Sequence, residues 1–208
     1  MQEFVFKNQS LNGNVKSLNK ISKKLDEILE FNKKFVENQD YVSYVSDVVP
    51  NKKLAIVTCM DARLIELLQK AINIKNGDAK MIKTAGAQIN NPFGSIMRSV
   101  LVAVYALKAE EVLVVGHKNC GMNSMDPSKV INEIKSRGVD DKTFEIISHT
   151  GIDVEDWLKG FTDLEEEVKR SVNVVRNHPL ITKDVPVHGL IIDPKTGELE
   201  LVTNGYDL

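Results

Sequence analysis

Cysteine is scarce in this chain, with two residues in 208, Cys59 and Cys120, too few for the disulfide scaffold of a small secreted domain. Excess charge of one sign is also missing. Lys and Arg number 27 against 29 Asp and Glu, a net charge of -2. No basic field exists to hold nucleic acid, and no nucleic-acid partner is expected. Long apolar runs are lacking too. The longest, Val100 to Leu107, falls well short of the roughly 20 residues that span a bilayer, so no membrane partner is expected. The first ten residues, MQEFVFKNQS, have neither the apolar core nor the small-residue cleavage site of a signal peptide. A cytoplasmic location is the expectation, and there the Asn8-Gln9-Ser10 sequon is a chance match.

No internal repeat and no low-complexity linker interrupts the chain. Hydrophobic residues make up 42% and charged residues 27%, enough for a folded domain that buries roughly 70% of its unfolded surface. A single domain over 1–208 is expected, with an N-terminal helical arm at about 15–40. In that arm Leu18, Ile21, Leu25, Ile28 and Phe35 recur at helical steps, predicting a helix over 15–37. The stripe packs either on its own domain or on a second subunit.

A strand–helix alternation follows. Lys53 to Thr58, Ala79 to Thr84 and Glu111 to Val115 read as strands, and Arg63 to Ala71 as a helix. Gly94 to Leu107 reads as an apolar helix covered on most sides. Further helices fall within 127–136 and 163–176. His188 to Val202 predicts a hairpin turning at Pro194-Lys-Thr-Gly197. The fold class is therefore α/β, a central mostly parallel sheet with flanking helices and an antiparallel edge strand.

The two cysteines sit at the ends of strand candidates, in Cys59-Met-Asp61-Ala-Arg63 and His117-Lys-Asn-Cys120. Loops at the carboxyl ends of parallel strands meet in space, so these motifs converge. Two thiolates and an imidazole suit Zn2+. No further cysteine exists to close a structural four-thiolate site, which leaves a three-donor centre with a fourth position free. Two thiolates neutralise the dication and weaken it as a Lewis acid. Asp61 then either accepts a hydrogen bond from water or competes for the metal, and Arg63 can hold it away. Asp61 also suits an N-cap, whereas Arg63 in a first helical turn opposes the helix dipole and calls for a specific partner.

Ala85-Gly86-Ala87 either lines the pocket or makes a tight turn, and its glycine spacing is no dinucleotide fingerprint. His149 can move protons or sit idle at the surface. His178 and His188 read as surface or core packing.

These residues resemble the beta-class carbonic anhydrases, and most closely their short archaeal-like and Gram-positive branch. The motifs that carry the resemblance are Cys59-x-Asp61-x-Arg63, Ala85-Gly86 and Gly116-His-x-x-Cys-Gly121. It extends through Gly151-Ile-Asp-Val-Glu-Asp-Trp157, Asn177-His-Pro-Leu180 and Val187-His-Gly189, over roughly residues 20 to 205. The resemblance implies reversible hydration of CO2 to bicarbonate and a proton by zinc-bound hydroxide. It implies zinc on Cys59, His117 and Cys120, with Asp61 as fourth ligand or water partner, switched by Arg63. Gly86 and Ala87 line the substrate pocket on this reading. The resemblance also implies a homodimer or higher homo-oligomer built partly by N-terminal helices, with CO2 and bicarbonate as the small-molecule partners. Where the family often has Arg-Asn-Ala-Gly-Gly, this chain has Lys83-Thr84-Ala85-Gly86-Ala87, and the methyl of Ala87 narrows the pocket or restricts the turn. Two alternatives share the motifs: a zinc hydrolase of carbonyl sulfide or carbon disulfide, and a non-catalytic zinc-binding homologue.

Overall fold

A computed structural model describes residues 15–207, with side chains from residue 23 onward. The Asn8 sequon and the side chains of Leu18 and Ile21 lie outside the described residues. The chain divides between Val45 and Ser46 into two compact units.

The first unit is α1 (Val15–Glu37), followed by a turn and a single helical turn at Val42–Tyr44. The expected helix is present, and Leu25 and Ile28 are exposed along it while Phe35 is half-buried. Phe35 and Tyr44 stack at a tilt, 6.4 Å between ring centroids.

The second unit alternates β1 (Leu54–Cys59), α2 (Leu64–Ala71), β2 (Ala79–Thr84), α3 (Ser95–Leu101) and β3 (Glu111–His117). Helices α4 (Pro127–Ser136), α5 (Asp141–Ser148), α6 (Val154–Leu158) and α7 (Leu164–Arg176) come next, then β4 (Val187–Ile192) and β5 (Leu199–Thr203). The sheet order is β2-β1-β3-β4-β5, parallel except for the β4–β5 hairpin. The predicted α/β architecture and its antiparallel edge are both present. No helix among the described residues is long and apolar enough to cross a membrane.

Both faces of the sheet are covered, which is why β1 and β3 read as continuous apolar runs and not as alternating ones. On one face Ala55, Val57, Val112 and Val114 meet Met97 and Val100 of α3 and Val168, Val172 and Val175 of α7. On the other, Ile56, Val115 and Ile192 meet Leu64 and Leu68 of α2. Helix α7 lies close on the strands at Gly116, where an added Cβ would come within 2.8 Å of Val168. The residue before His117 is thereby held small.

Two expectations need correction. The strands run further than predicted, so Cys59 and His117 are the last residues of β1 and β3 and do not sit in the loops that follow. The helix over 94–107 is α-helical only to Leu101 and continues as a π-helical turn, Val102–Ala106, that ends with the Leu107 N–H on the Val102 carbonyl. Its outer side is also open: Val102 and Tyr105 are each 46% exposed. Its apolar composition predicted cover on most sides, and only the Met97, Val100, Ala103 and Val104 side has it. Helices α5 and α6 went unpredicted, although Asp140 caps Thr143 and Asp153 caps Glu155 and Asp156.

Leu68→Ala should cost about 2–5 kcal/mol of stability in denaturant unfolding, because the fully buried side chain leaves a cavity between α2 and the sheet. A cost below about 0.5 kcal/mol, the range of surface substitutions, would contradict this packing.

Candidate metal centre

The strand register builds the site. Thr58 pairs with Val115 on the last rung of the β1–β3 ladder, with the Thr58 hydroxyl donating to the Val115 carbonyl at 3.0 Å. One and two steps beyond that rung stand Cys59 and His117. The turn after β3 then brings Cys120 back, so that Cys59, His117 and Cys120 present donor atoms all within 4.8 Å of one another. All three side chains are buried. Among the described residues this is the one cluster of such groups able to hold a metal ion.

The donors fit zinc in detail. The two sulfurs are 3.9 Å apart. Two thiolates at about 2.3 Å from a tetrahedral zinc stand about 3.8 Å apart. His117 Nδ1 lies 3.0 Å from the Lys118 carbonyl and so carries the proton, while Nε2 is buried with no hydrogen-bond partner. That tautomer directs a free lone pair into the cluster, as a metal-ligating histidine requires.

Electrostatics say the same. The Cys120 hydrogen bond, against the effect of burial, pulls the Cys59 thiol well below its usual range. The thiolate so formed pushes the Cys120 thiol up, and burial adds to that. The pair thus shares one proton until a cation takes its place. Backbone N–H groups of Asp61 and Gly86 also point at the Cys59 sulfur, and that of Met122 at Cys120.

Asp61 stands at the rim, its Oδ2 3.7 Å from His117 Nε2. Arg63 grips it with two parallel bonds, Nε to Oδ1 at 2.9 Å and Nη2 to Oδ2 at 2.7 Å. The Arg63 backbone N–H donates to the same Oδ1 at 2.9 Å, so Asp61 also steadies the start of α2. Arg63 Nη2 further donates to the Asn119 carbonyl at 3.0 Å. The Arg63 hydrogen bonds hold the Asp61 carboxyl well below the usual carboxylate range, which keeps it anionic at any ordinary pH.

The family profile described as Carbonic anhydrase matches residues 54–199. The chain is 52% identical to the Bacillus subtilis (strain 168) protein named "Putative carbonic anhydrase YtiB", over 88% of this chain and 98% of that one. It is 30% identical to the carbon disulfide hydrolase of Acidithiobacillus thiooxidans, over 72% of this chain and 76% of that one. The crystal structure of beta-carbonic anhydrase isoform I from Trichomonas vaginalis superposes with a TM-score of 0.78 at 34% identity, covering 88% and 98% of the two chains. The chain belongs to the beta-carbonic anhydrase family. Zinc is the metal that family uses, and Cys59, His117 and Cys120 form a site able to bind it.

The family motif at residues 85–87 is a left-handed turn. Gly86 has φ +70°, and a Cβ there would meet Met122 Cβ at 2.9 Å and the Phe161 ring at 3.0 Å. Ala87, buried, also has a positive φ of 59°. Ala85 lines an adjoining cavity of about 430 Å³ with Thr84, Gln88, Met122 and Trp157. Of these, Gln88 carries no signal in the sequence, because nothing in its spacing ties it to the motifs. The remaining histidines stay out of the cluster. His149 is exposed at the end of α5. His178 and His188 are buried, their Nδ1 atoms accepting from the backbone N–H groups of Leu180 and Gly205.

Cys59→Ser should abolish stoichiometric zinc in the purified protein by metal analysis, and full retention of zinc would refute the ligand assignment. Apparent zinc affinity should rise with pH, about tenfold per unit for each proton expelled, since Cys120 must give up its proton to bind. Protonation on acidification returns the thiols, and zinc and the stability it lends are lost as pH falls. An affinity flat across neutral pH would contradict the shared-proton pair.

Proposed function

We propose that the protein is a cytoplasmic, zinc-dependent carbonic anhydrase that interconverts CO2 and bicarbonate as a homodimer or higher homo-oligomer. The observation that carries this reading is the Asp61–Arg63 pair beside a three-donor centre. A structural zinc needs neither a rim carboxylate nor a guanidinium to restrain it.

Cys59, His117 and Cys120 would hold the metal, which supplies the Lewis acidity that turns water into a nucleophile near neutral pH. Asp61, turned toward Arg63 yet 3.7 Å from His117 Nε2, would accept a hydrogen bond from water at that metal's open position and orient it. Arg63, paired with both Asp61 oxygens, would keep Asp61 from swinging in to take that position. The N–H groups of Asp61, Gly86 and Met122 draw charge from the two sulfurs, which offsets part of the neutralisation by two thiolates. On this reading Gly86 and Ala87 bound the substrate side, both with left-handed backbone, and Gly86 lies close against Met122 and Phe161.

The similarity to a carbon disulfide hydrolase favours a second reading, hydrolysis of carbon disulfide or carbonyl sulfide on the same residues. Stopped-flow CO2 hydration by zinc-loaded protein at mildly alkaline pH decides between them. Zinc-dependent turnover well above buffer is expected. Its absence alongside turnover of carbon disulfide would transfer the assignment to the sulfur substrate. Arg63→Ala should keep its zinc and lose about 10²-fold or more in turnover, because a freed Asp61 is misplaced at the reacting centre. Unchanged turnover would refute the restraint.

A further inference from the structure

Among the contacts around the centre, the one that family resemblance leaves without a role is the hydrogen bond from Arg63 to the Asn119 backbone. Asn119 lies between the ligands His117 and Cys120 and has φ +53°, in the left-handed region. Its carbonyl accepts the Arg63 Nη2–H at 3.0 Å, while the same nitrogen grips Asp61 Oδ2 at 2.7 Å. Both hydrogens of that nitrogen are therefore engaged, and the guanidinium plane is fixed.

The contact matters because the bidentate pair is partly open to solvent on its Arg63 side. The Arg63 side chain is 46% exposed, and exposed ion pairs contribute little unless their geometry is fixed. A third anchor on the metal-ligand loop supplies that fixation. The anchor exists only while residue 119 is left-handed, since the sign of φ sets where its peptide group points. Asparagine and glycine adopt that conformation readily and β-branched residues do not. Residue 119 is itself exposed, so a change of its side chain acts through the backbone and not by a clash.

We propose that Asn119 is a positioning residue: its left-handed backbone holds Arg63, and through Arg63 it keeps Asp61 off the fourth metal position. This rests on the proposed roles of Asp61 and Arg63. It further couples those roles to the ligand loop, because the carbonyl that anchors Arg63 belongs to the turn between His117 and Cys120.

The test uses the full chain loaded with Co2+, whose visible absorption reports the fourth ligand, titrated with thiocyanate as an anion that needs an open position. Cobalt stoichiometry is checked first. Asn119→Gly should bind thiocyanate within about twofold of the parent, because glycine keeps the conformation. Asn119→Ala should bind several-fold more weakly and Asn119→Val about tenfold more weakly, with the spectrum shifting toward a carboxylate-bound form. If the valine variant takes up no cobalt, the ordering of glycine over alanine decides the matter. Equal affinities across the series would overturn the proposal, as would a glycine variant as impaired as the alanine one. Because no CO2 turnover is read, the ordering holds or fails regardless of which substrate the enzyme uses.

Discussion

Two thiols held 3.9 Å apart in a buried site cannot both ionise unless a cation lies between them. Much of the molecule serves to impose that proximity. Parallel pairing of β1 with β3 fixes Cys59 against His117, and burial by α2 on one face and α7 on the other makes the register rigid. The small residue at Gly116 lets α7 close over the strand just before the ligand. The His117 tautomer, set by the Lys118 carbonyl, completes the donor set. A metal bound there is linked to folding, because its donors come from segments that only the folded sheet brings together.

Beside this centre stands one further charge, the Asp61 carboxylate, held by its pair with Arg63. Asp61 Oδ2 lies 3.7 Å from His117 Nε2 and is paired with Arg63, which also donates to a carbonyl in the turn between His117 and Cys120. On the proposed reading the arrangement separates two tasks: the buried donors bind, and the Asp61–Arg63 pair governs access. A carboxylate at the rim is useful to a reaction that must orient water, and it also threatens that reaction if it is free. That double character explains why a guanidinium, with its fixed fork, restrains it, where a flexible ammonium would hold it less exactingly.

Much of this was legible in the residues. Strand–helix alternation gave the parallel sheet, and the Pro194-to-Gly197 turn gave its antiparallel edge. Cys59, His117 and Cys120 were readable as donors because residue chemistry alone restricts what two thiols and an imidazole do together at strand ends. Arg63 at a helix start, against the dipole, correctly called for a partner. Other features depend on geometry that residue type does not encode. Whether the Asn119 carbonyl faces Arg63 is decided by one backbone angle. The packing of Met122 and Phe161 against Gly86 is a contact between segments about 35 and 75 residues apart along the chain, and no local pattern announces it. The apolar outer side of residues 95–106 misled for a different reason. Hydrophobicity signals a wish for cover, and within one chain Val102 and Tyr105 do not receive it.

X-ray absorption at the zinc edge of the purified protein reads the donor atoms themselves. The account predicts two sulfurs at about 2.3 Å and two nitrogen or oxygen atoms at about 2.0–2.1 Å. A shell without sulfur, or with a single sulfur, would contradict it, because Cys59 and Cys120 would then not share the metal.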